Sequence, residues 1–209
     1  MRPEFRVFVA VSLDGLIARP DGRLDWLPGA TADGAAAPVG EDHGYAAFVA
    51  GVDTLLMGRE TFETVKDFPE WPYAGLRVVA LSRTLSAADL PPALRGTVQV
   101  MAGPPEWVAE QLGRLGARAV YVDGGQTVQA FLRAGLIDEL TVTVVPVLLG
   151  RGRPLFGPLD ADLPLTLVSV RVFAGSGFVQ STYWCRAGPY APDGGSTGVR
   201  FVKSVCCDV

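Results

Sequence analysis

The chain has 209 residues, 49% hydrophobic and 19% charged, with a formal net charge of −4, which suits one folded domain with a tail and excludes a disordered chain. No basic block or basic helix interrupts the mixture, so nothing electrostatic favours nucleic acid or an anionic membrane, and a small-molecule substrate is expected. Cys185, Cys206 and Cys207 have neither metal-ligand nor disulfide-framework spacing, and no run approaches the length of a membrane span, so a reducing cytoplasm is the expected compartment.

Residues 5–13 read as a first strand, β-branched and aromatic without breakers; the run is too short and too alternating for a signal peptide and ends at Ser12-Leu13-Asp14-Gly15. Residues 16–39 are rich in Gly, Pro, Ala and Asp and predict a long, lid-like loop with Trp26 as its one large anchor. Glu41 and Asp42 then lead into Tyr45, Phe48, Val49 and Val52, spaced for one helix face with carboxylates in the first turn. A strand over 53–57 feeds a short helix over 59–66. A buried strand over 76–82 ends at Ser82-Arg83-Thr84, and another covers 97–101. Proline opens a helix running to Leu115, a strand over 118–122 breaks at Asp123-Gly124-Gly125, and a helix through Val128, Phe131 and Leu132 stops at Gly135. This alternation predicts an α/β fold with a largely parallel sheet. Residues 137–149, 163–173 and 178–185 are strand-like without intervening helices and are expected to close the sheet antiparallel. Residues 1–186 form the expected domain, and 187–209, rich in Gly, Pro and Ser, an appendage without assigned role.

Several chemistries lack their parts. His43 is the only histidine and no Gly-x-Ser-x-Gly occurs, which disfavours a Ser-His hydrolase. Neither Lys66 nor Lys203 follows a P-loop pattern, and the carboxylates stand singly without His or Cys companions, so a transition-metal site is not expected. What remains is a set of strand ends, where open α/β sheets bind ligands: Ser12, Asp14 and Gly15; Gly58, Arg59 and Thr61; Ser82 and Arg83; Gly124 and Gly125. Two are glycine-to-helix junctions whose opening amides can hold an anion, and two carry arginine, a pattern suited to a phosphate-bearing dinucleotide.

Met57-Gly58-Arg59-Glu60-Thr61-Phe62, then Leu81-Ser82-Arg83, then Gly124-Gly125 before a helix, in this order and at these intervals, resembles the dihydrofolate reductase fold. Ser12-Leu13-Asp14-Gly15-Leu16-Ile17-Ala18, Asp123-Gly124-Gly125 and the stretch from Pro146 through Gly150, Gly152 and Pro154 to Phe156 look like the reductase domain of bacterial bifunctional riboflavin-biosynthesis proteins and their stand-alone relatives. The likeness covers residues 5 to about 186. It implies NADPH, with Arg59, Ser82 and Arg83 at the 2′-phosphate region and Thr61, Gly124, Gly125, Gln126 and Thr127 at the diphosphate. It also places Ala10 to Gly15, with Asp14 and Trp26, beside the nicotinamide. The implied activity is hydride transfer to a C=N or C=O of a small heterocycle or ribosyl-pyrimidine, in a homodimer formed through the later antiparallel strands.

Asp42 lies sixteen positions before Gly58, the separation at which dihydrofolate reductases keep their substrate-binding carboxylate. Half-buried there, it would have a raised pKa and relay a proton to substrate; equally, it would serve only its helix N-terminus. Leu76 stands where folate enzymes hold the substrate tail with arginine, which speaks against folate. A riboflavin-pathway role needs a grip on ribosyl phosphate, for which Arg151 and Arg153 could serve, although solvated charge or a subunit contact is the favoured reading of the pair. A non-catalytic NADP-binding sensor and true folate reduction are the alternatives.

Overall fold

Six strands run parallel and deliver their carboxyl ends to one edge of the molecule. In the computed structural model, which describes residues 1–27, 42–68 and 70–185, these are β1 (Glu4–Ser12), β3 (Thr54–Gly58), β4 (Arg77–Leu81), β5 (Val98–Met101), β6 (Ala119–Asp123) and β7 (Glu139–Val145). The antiparallel β9 (Thr166–Phe173) and β10 (Phe178–Trp184) complete an eight-stranded sheet of order β5-β4-β3-β6-β1-β7-β10-β9. The apolar runs that predicted the central strands are continuous because helices cover both faces.

Helix α1 (Tyr45–Ala50) and helix α2 (Arg59–Val65) lie on one face: Phe62 and Val65 of α2 are buried with Leu55, Met57, Val78, Ala80 and Tyr121, and Phe48 of α1 packs against them. Helix α3 (Pro105–Arg114), opened by its proline, and helix α4 (Gly125–Arg133) bury Val108, Leu112, Val128 and Phe131 against Phe5, Val7, Leu56 and Val122 on the other face. The adjacent strands β3 and β6 therefore send their following helices to opposite faces. Such a switch of winding opens a crevice between the two strand ends, where ligands of open α/β sheets bind.

Two expectations need correction. The stretch after Gly15 begins as β2 (Leu16–Ala18), which pairs with β8 (Arg153–Pro154), a pairing between segments too short to carry a periodic signal. The first turn of α1 holds no acidic residue, because Asp42 precedes the helix, whose N-cap is Gly44. Residues 28–41, which take in half of the expected lid and Glu41, and the appendage 187–209 lie outside the described residues.

Candidate active site

The crevice is built from two glycines facing two threonines. Gly58 caps the start of α2 and Gly124 the start of α4. A β-carbon on Gly124 would lie 2.5 Å from Thr61 Oγ1 and 3.7 Å from the Gly58 nitrogen; one on Gly58 would lie 2.9 Å from Thr127 Oγ1. Thr61 and Thr127 occupy the third position of their helices, so each hydroxyl reaches across to the opposite glycine. Only glycine leaves room for the two helix starts to approach this closely. The amides of Gly125, Gln126 and Thr127 open α4 without intrahelical acceptors and present partial positive charge to the crevice. The Gly124 amide does not join them, because it donates to the Asp123 carboxylate at 2.8 Å. That corrects its expected place among the diphosphate donors. Gly125 in turn abuts Ile17 and the Pro154 carbonyl, fastening α4 to the β2–β8 pair.

Arg59 and the turn after β4 form the outer wall. Arg59 donates from Nη1 to Thr84 Oγ1 at 2.7 Å and faces Glu63 at 3.6 Å. Ser82 Oγ accepts from the amides of Thr84 and Leu85, so it shapes this turn. Arg83 is exposed and forms no ion pair among the described residues.

At the end of β1, Ser12, Asp14 and Gly15 act as a latch. Asp14 accepts from the Ser12 hydroxyl at 2.6 Å and from the amides of Leu149 at 3.1 Å and Gly150 at 2.7 Å. These bonds, the Ser12 hydroxyl foremost and the Leu149 amide next, hold its carboxyl down at about 2. The sign follows: the latch is fully present above the ordinary carboxylate range and is lost only as pH falls through that value. Asp14 is thus an anion that ties the turn after β7 to the end of β1, and it holds no proton to donate at neutral pH. Ala10 sits in β1 opposite Thr143 of β7, two residues before the latch. Trp26 is half-buried, its Nε1 buried without an acceptor among the described residues, in a turn braced by the Arg19–Asp25 and Arg23–Asp21 ion pairs.

Asp42 differs from its expected state. It is exposed and accepts from the amides of Gly44 at 2.8 Å and Ala46 at 2.9 Å, which lower its pKa. The half burial and raised pKa expected of a proton relay are therefore corrected; what the carboxylate does is organise the start of α1.

The carboxyl group with a raised pKa is Asp123, at the end of β6 and directly before the crevice glycine. Burial raises it, opposed only by the Gly124 amide, although the residue keeps partial exposure. Three phenols surround it. Tyr45, Tyr73 and Tyr121 are all raised, by burial first and then by the Asp123 charge. Tyr121 donates to the Phe8 carbonyl at 3.0 Å and meets Phe48 edge-on at 5.0 Å; Phe8 lies 5.8 Å from Tyr45, and Trp71 stands edge-on to Tyr73 at 5.3 Å. Sequence reading used Asp123 as the residue that breaks a strand and as part of the Asp123-Gly124-Gly125 motif, and gave it no chemical role. Its one available signal was an acidic residue at a strand end immediately before paired glycines.

Among the described residues no helix is long and apolar enough to cross a membrane, and no group of His, Cys, Asp and Glu is placed to hold a metal. A model of the RibD C-terminal domain matches residues 3–178. The uncharacterised Bacillus subtilis protein YwjB is 32% identical over 168 residues, covering 80% of this chain and 90% of YwjB. A crystal structure from Shewanella sp. PV-4, provisionally described as a riboflavin biosynthesis protein, has a TM-score of 0.78 at 36% identity, covering 89% of this chain and 99% of that one. Dihydrofolate reductase from Enterococcus faecalis, complexed with NADP(H), shares the fold with a TM-score of 0.57 at 16% identity, covering 87% of this chain and 95% of that one. The fold is thus of dihydrofolate-reductase type, with a mostly parallel sheet closed by antiparallel strands, and the chain belongs to the RibD C-terminal domain family.

Proposed function

We propose that this protein is an NADPH-dependent reductase of a small heterocyclic substrate. The observation that carries the reading is the crevice in which Gly58 and Gly124 face Thr127 and Thr61, a cradle that a single β-carbon would fill. It fits a dinucleotide diphosphate. The amides of Gly125, Gln126 and Thr127 and the hydroxyls of Thr61 and Thr127 would hold the phosphates, with Gly15 and Ala10 beside the nicotinamide end. Arg59, with Ser82 shaping its turn and Arg83 free to rotate in, would hold the 2′-phosphate that separates NADPH from NADH. Bound there, the cofactor supplies a hydride to an electrophilic carbon. The protein must then deliver a proton to the adjacent nitrogen or oxygen. Asp123 suits that role: its raised pKa keeps a larger protonated fraction near neutrality than an exposed carboxyl has, and it stands at the strand end beside the crevice.

Fluorescence titration with NADPH and NADH, followed by loss of nicotinamide absorbance against ribosylaminopyrimidines, pterins, folates and quinones, tests this reading. Arg59→Ala is expected to weaken NADPH binding roughly 10–100-fold, the loss of a charge-assisted bond of about 1.5–3 kcal/mol, with NADH unaffected. Equal affinity of the wild type for both cofactors removes Arg59 from the 2′-phosphate. NADPH binding without turnover of any substrate in the panel would favour a sensor.

The homodimer belongs to the same proposal. β9 is an edge strand whose Leu167, Val168, Val170 and Val172 are all exposed, an apolar edge of the kind soluble proteins cover. Sedimentation equilibrium should give twice the chain mass, and Val170→Lys should halve it; a wild-type monomer at micromolar concentration rejects the dimer.

A further inference from the structure

One arginine spans the mouth of the crevice. At one end of β8 the Pro154 carbonyl lies 3.2 Å from where a β-carbon on Gly125 would stand, and Gln129 of α4 donates to the same carbonyl at 3.1 Å. At the other end Arg153 reaches α2, where its Nη1 donates to the Glu60 carboxylate. Glu60 stands between Arg59 and Thr61, the two α2 residues that the reductase reading sets at the cofactor. Consecutive residues of β8 thus touch both walls of the cradle.

Main chain holds this guanidinium as well as charge. Its Nε donates to the Pro20 carbonyl at 3.4 Å. The turn over residues 19–22, closed by the Gly22 amide on the Arg19 carbonyl at 2.9 Å, lies against it, and a β-carbon on Gly22 would stand 3.5 Å from Arg153 Cζ. Gly22 has a φ of 92°, which favours glycine at this turn. An arginine loses much rotamer freedom on binding a ligand, and here the protein orders the side chain before any ligand arrives. The carboxylate that holds it is the weaker part of the arrangement. Glu60 is 66% exposed and Arg153 40%, so water screens the pair and its contribution to stability is small. A diphosphate laid between Thr61 and the opening amides of α4 would bring further negative charge up to Glu60. That repulsion is relieved when the guanidinium turns from the carboxylate to the phosphate, whose oxygens its planar fork binds through two parallel N–H bonds, and Glu60 returns to water.

We infer that Arg153 is a ligand of the cofactor diphosphate which Glu60 holds in waiting, and that cofactor binding exchanges the carboxylate for a phosphate. The inference rests on the reductase reading for the presence of a dinucleotide. It sets Arg153 on the cofactor in place of a ribosyl phosphate, because the side chain is aimed at the start of α2 and not away from the crevice. NADPH and NADH carry the same diphosphate, so Arg153 serves both equally, in contrast to Arg59.

Fluorescence titration of NADPH and of NADH into the wild type, Arg153→Gln, Arg153→Lys and Glu60→Gln, each first shown to melt cooperatively, tests the exchange. Arg153→Gln is expected to weaken both cofactors roughly tenfold, the loss of a charge-assisted bond to phosphate. Arg153→Lys should weaken them less, since it keeps the charge and loses the fork. Glu60→Gln is expected to act in the opposite direction, tightening both cofactors by about two- to fivefold as a competing exposed charge is removed. Opposite signs from the two halves of one ion pair mark an exchange, whereas a fixed brace of the crevice would weaken binding from either side. Glu60→Gln alone decides that sign should Arg153→Gln fold poorly. Unchanged affinity in Arg153→Gln, weaker binding in Glu60→Gln, or a loss in Arg153→Gln confined to NADPH overturns the inference. A wild type that binds neither cofactor overturns the reductase reading and the inference together; a wild type that binds them and ignores the change at Arg153 removes the inference alone.

Discussion

Gly124→Ala is expected to abolish measurable NADPH binding and to lower the thermal midpoint of the protein. Two independent effects act at this position. The backbone is held at φ 90° and ψ 130°, a conformation essentially confined to glycine, and forcing a side chain into it costs about 1–3 kcal/mol. The added β-carbon would also sit 2.5 Å from Thr61 Oγ1, in the space between the two helix starts. For a chain of this size the midpoint should fall by about 2–4 °C for each kcal/mol lost. The companion variant Gly58→Ala separates the two effects, because Gly58 has an extended backbone at φ −74° that any residue adopts. Its β-carbon would meet Thr127 Oγ1 at 2.9 Å, so Gly58→Ala should weaken cofactor binding with a much smaller loss of stability. Adding Thr61→Ala to Gly124→Ala relieves the clash but not the backbone strain, and should restore binding only in part. Wild-type NADPH affinity in Gly124→Ala would show that the crevice is not the phosphate site.

The difference between these two glycines was not visible in the sequence, where both simply ended an apolar run. What was legible was local. The Val-rich run of β4, the proline opening α3 and the glycines after β3 and β6 each carry their structural meaning within a few residues, and those elements lie where the pattern placed them. The features that resisted reading depend on distant partners. β2 and β8 are three and two residues long and make a sheet only with each other. Asp14 was legible as a turn residue, but its latch needs the amides of Leu149 and Gly150, more than 130 positions away. The environments of Asp42 and Asp123 escaped the reading for the same reason. Asp42 was matched by its spacing to Gly58, yet its partners are the local amides of Gly44 and Ala46. Asp123 is desolvated beside Tyr45 and Tyr73, which arrive from other parts of the chain and leave no trace near it in sequence.

The desolvated carboxyl of Asp123 gives the second large effect. Asp123→Asn is expected to reduce turnover by about 10²–10⁴-fold, the usual contribution of a positioned proton donor, while leaving NADPH affinity near the wild-type value. The wild-type rate should decline as pH rises through the raised pKa of Asp123, because only the protonated carboxyl can donate; the asparagine variant should show a flat residual rate across the same range. Stability of the wild type should fall over the same range. A carboxyl whose folded-state pKa lies above its unfolded value binds more protons in the native state, so native stability falls as pH rises from the unfolded pKa through the folded one. Asparagine removes the cost of burying that charge, so the denaturation midpoint of Asp123→Asn relative to wild type should rise steadily from acid to neutral pH. Asp42→Asn should show neither signature, since its carboxylate is exposed and already depressed by backbone amides. If Asp42→Asn removes the pH dependence of turnover and Asp123→Asn does not, the proton travels through the start of α1 and Asp123 serves only to hold the Gly124 turn.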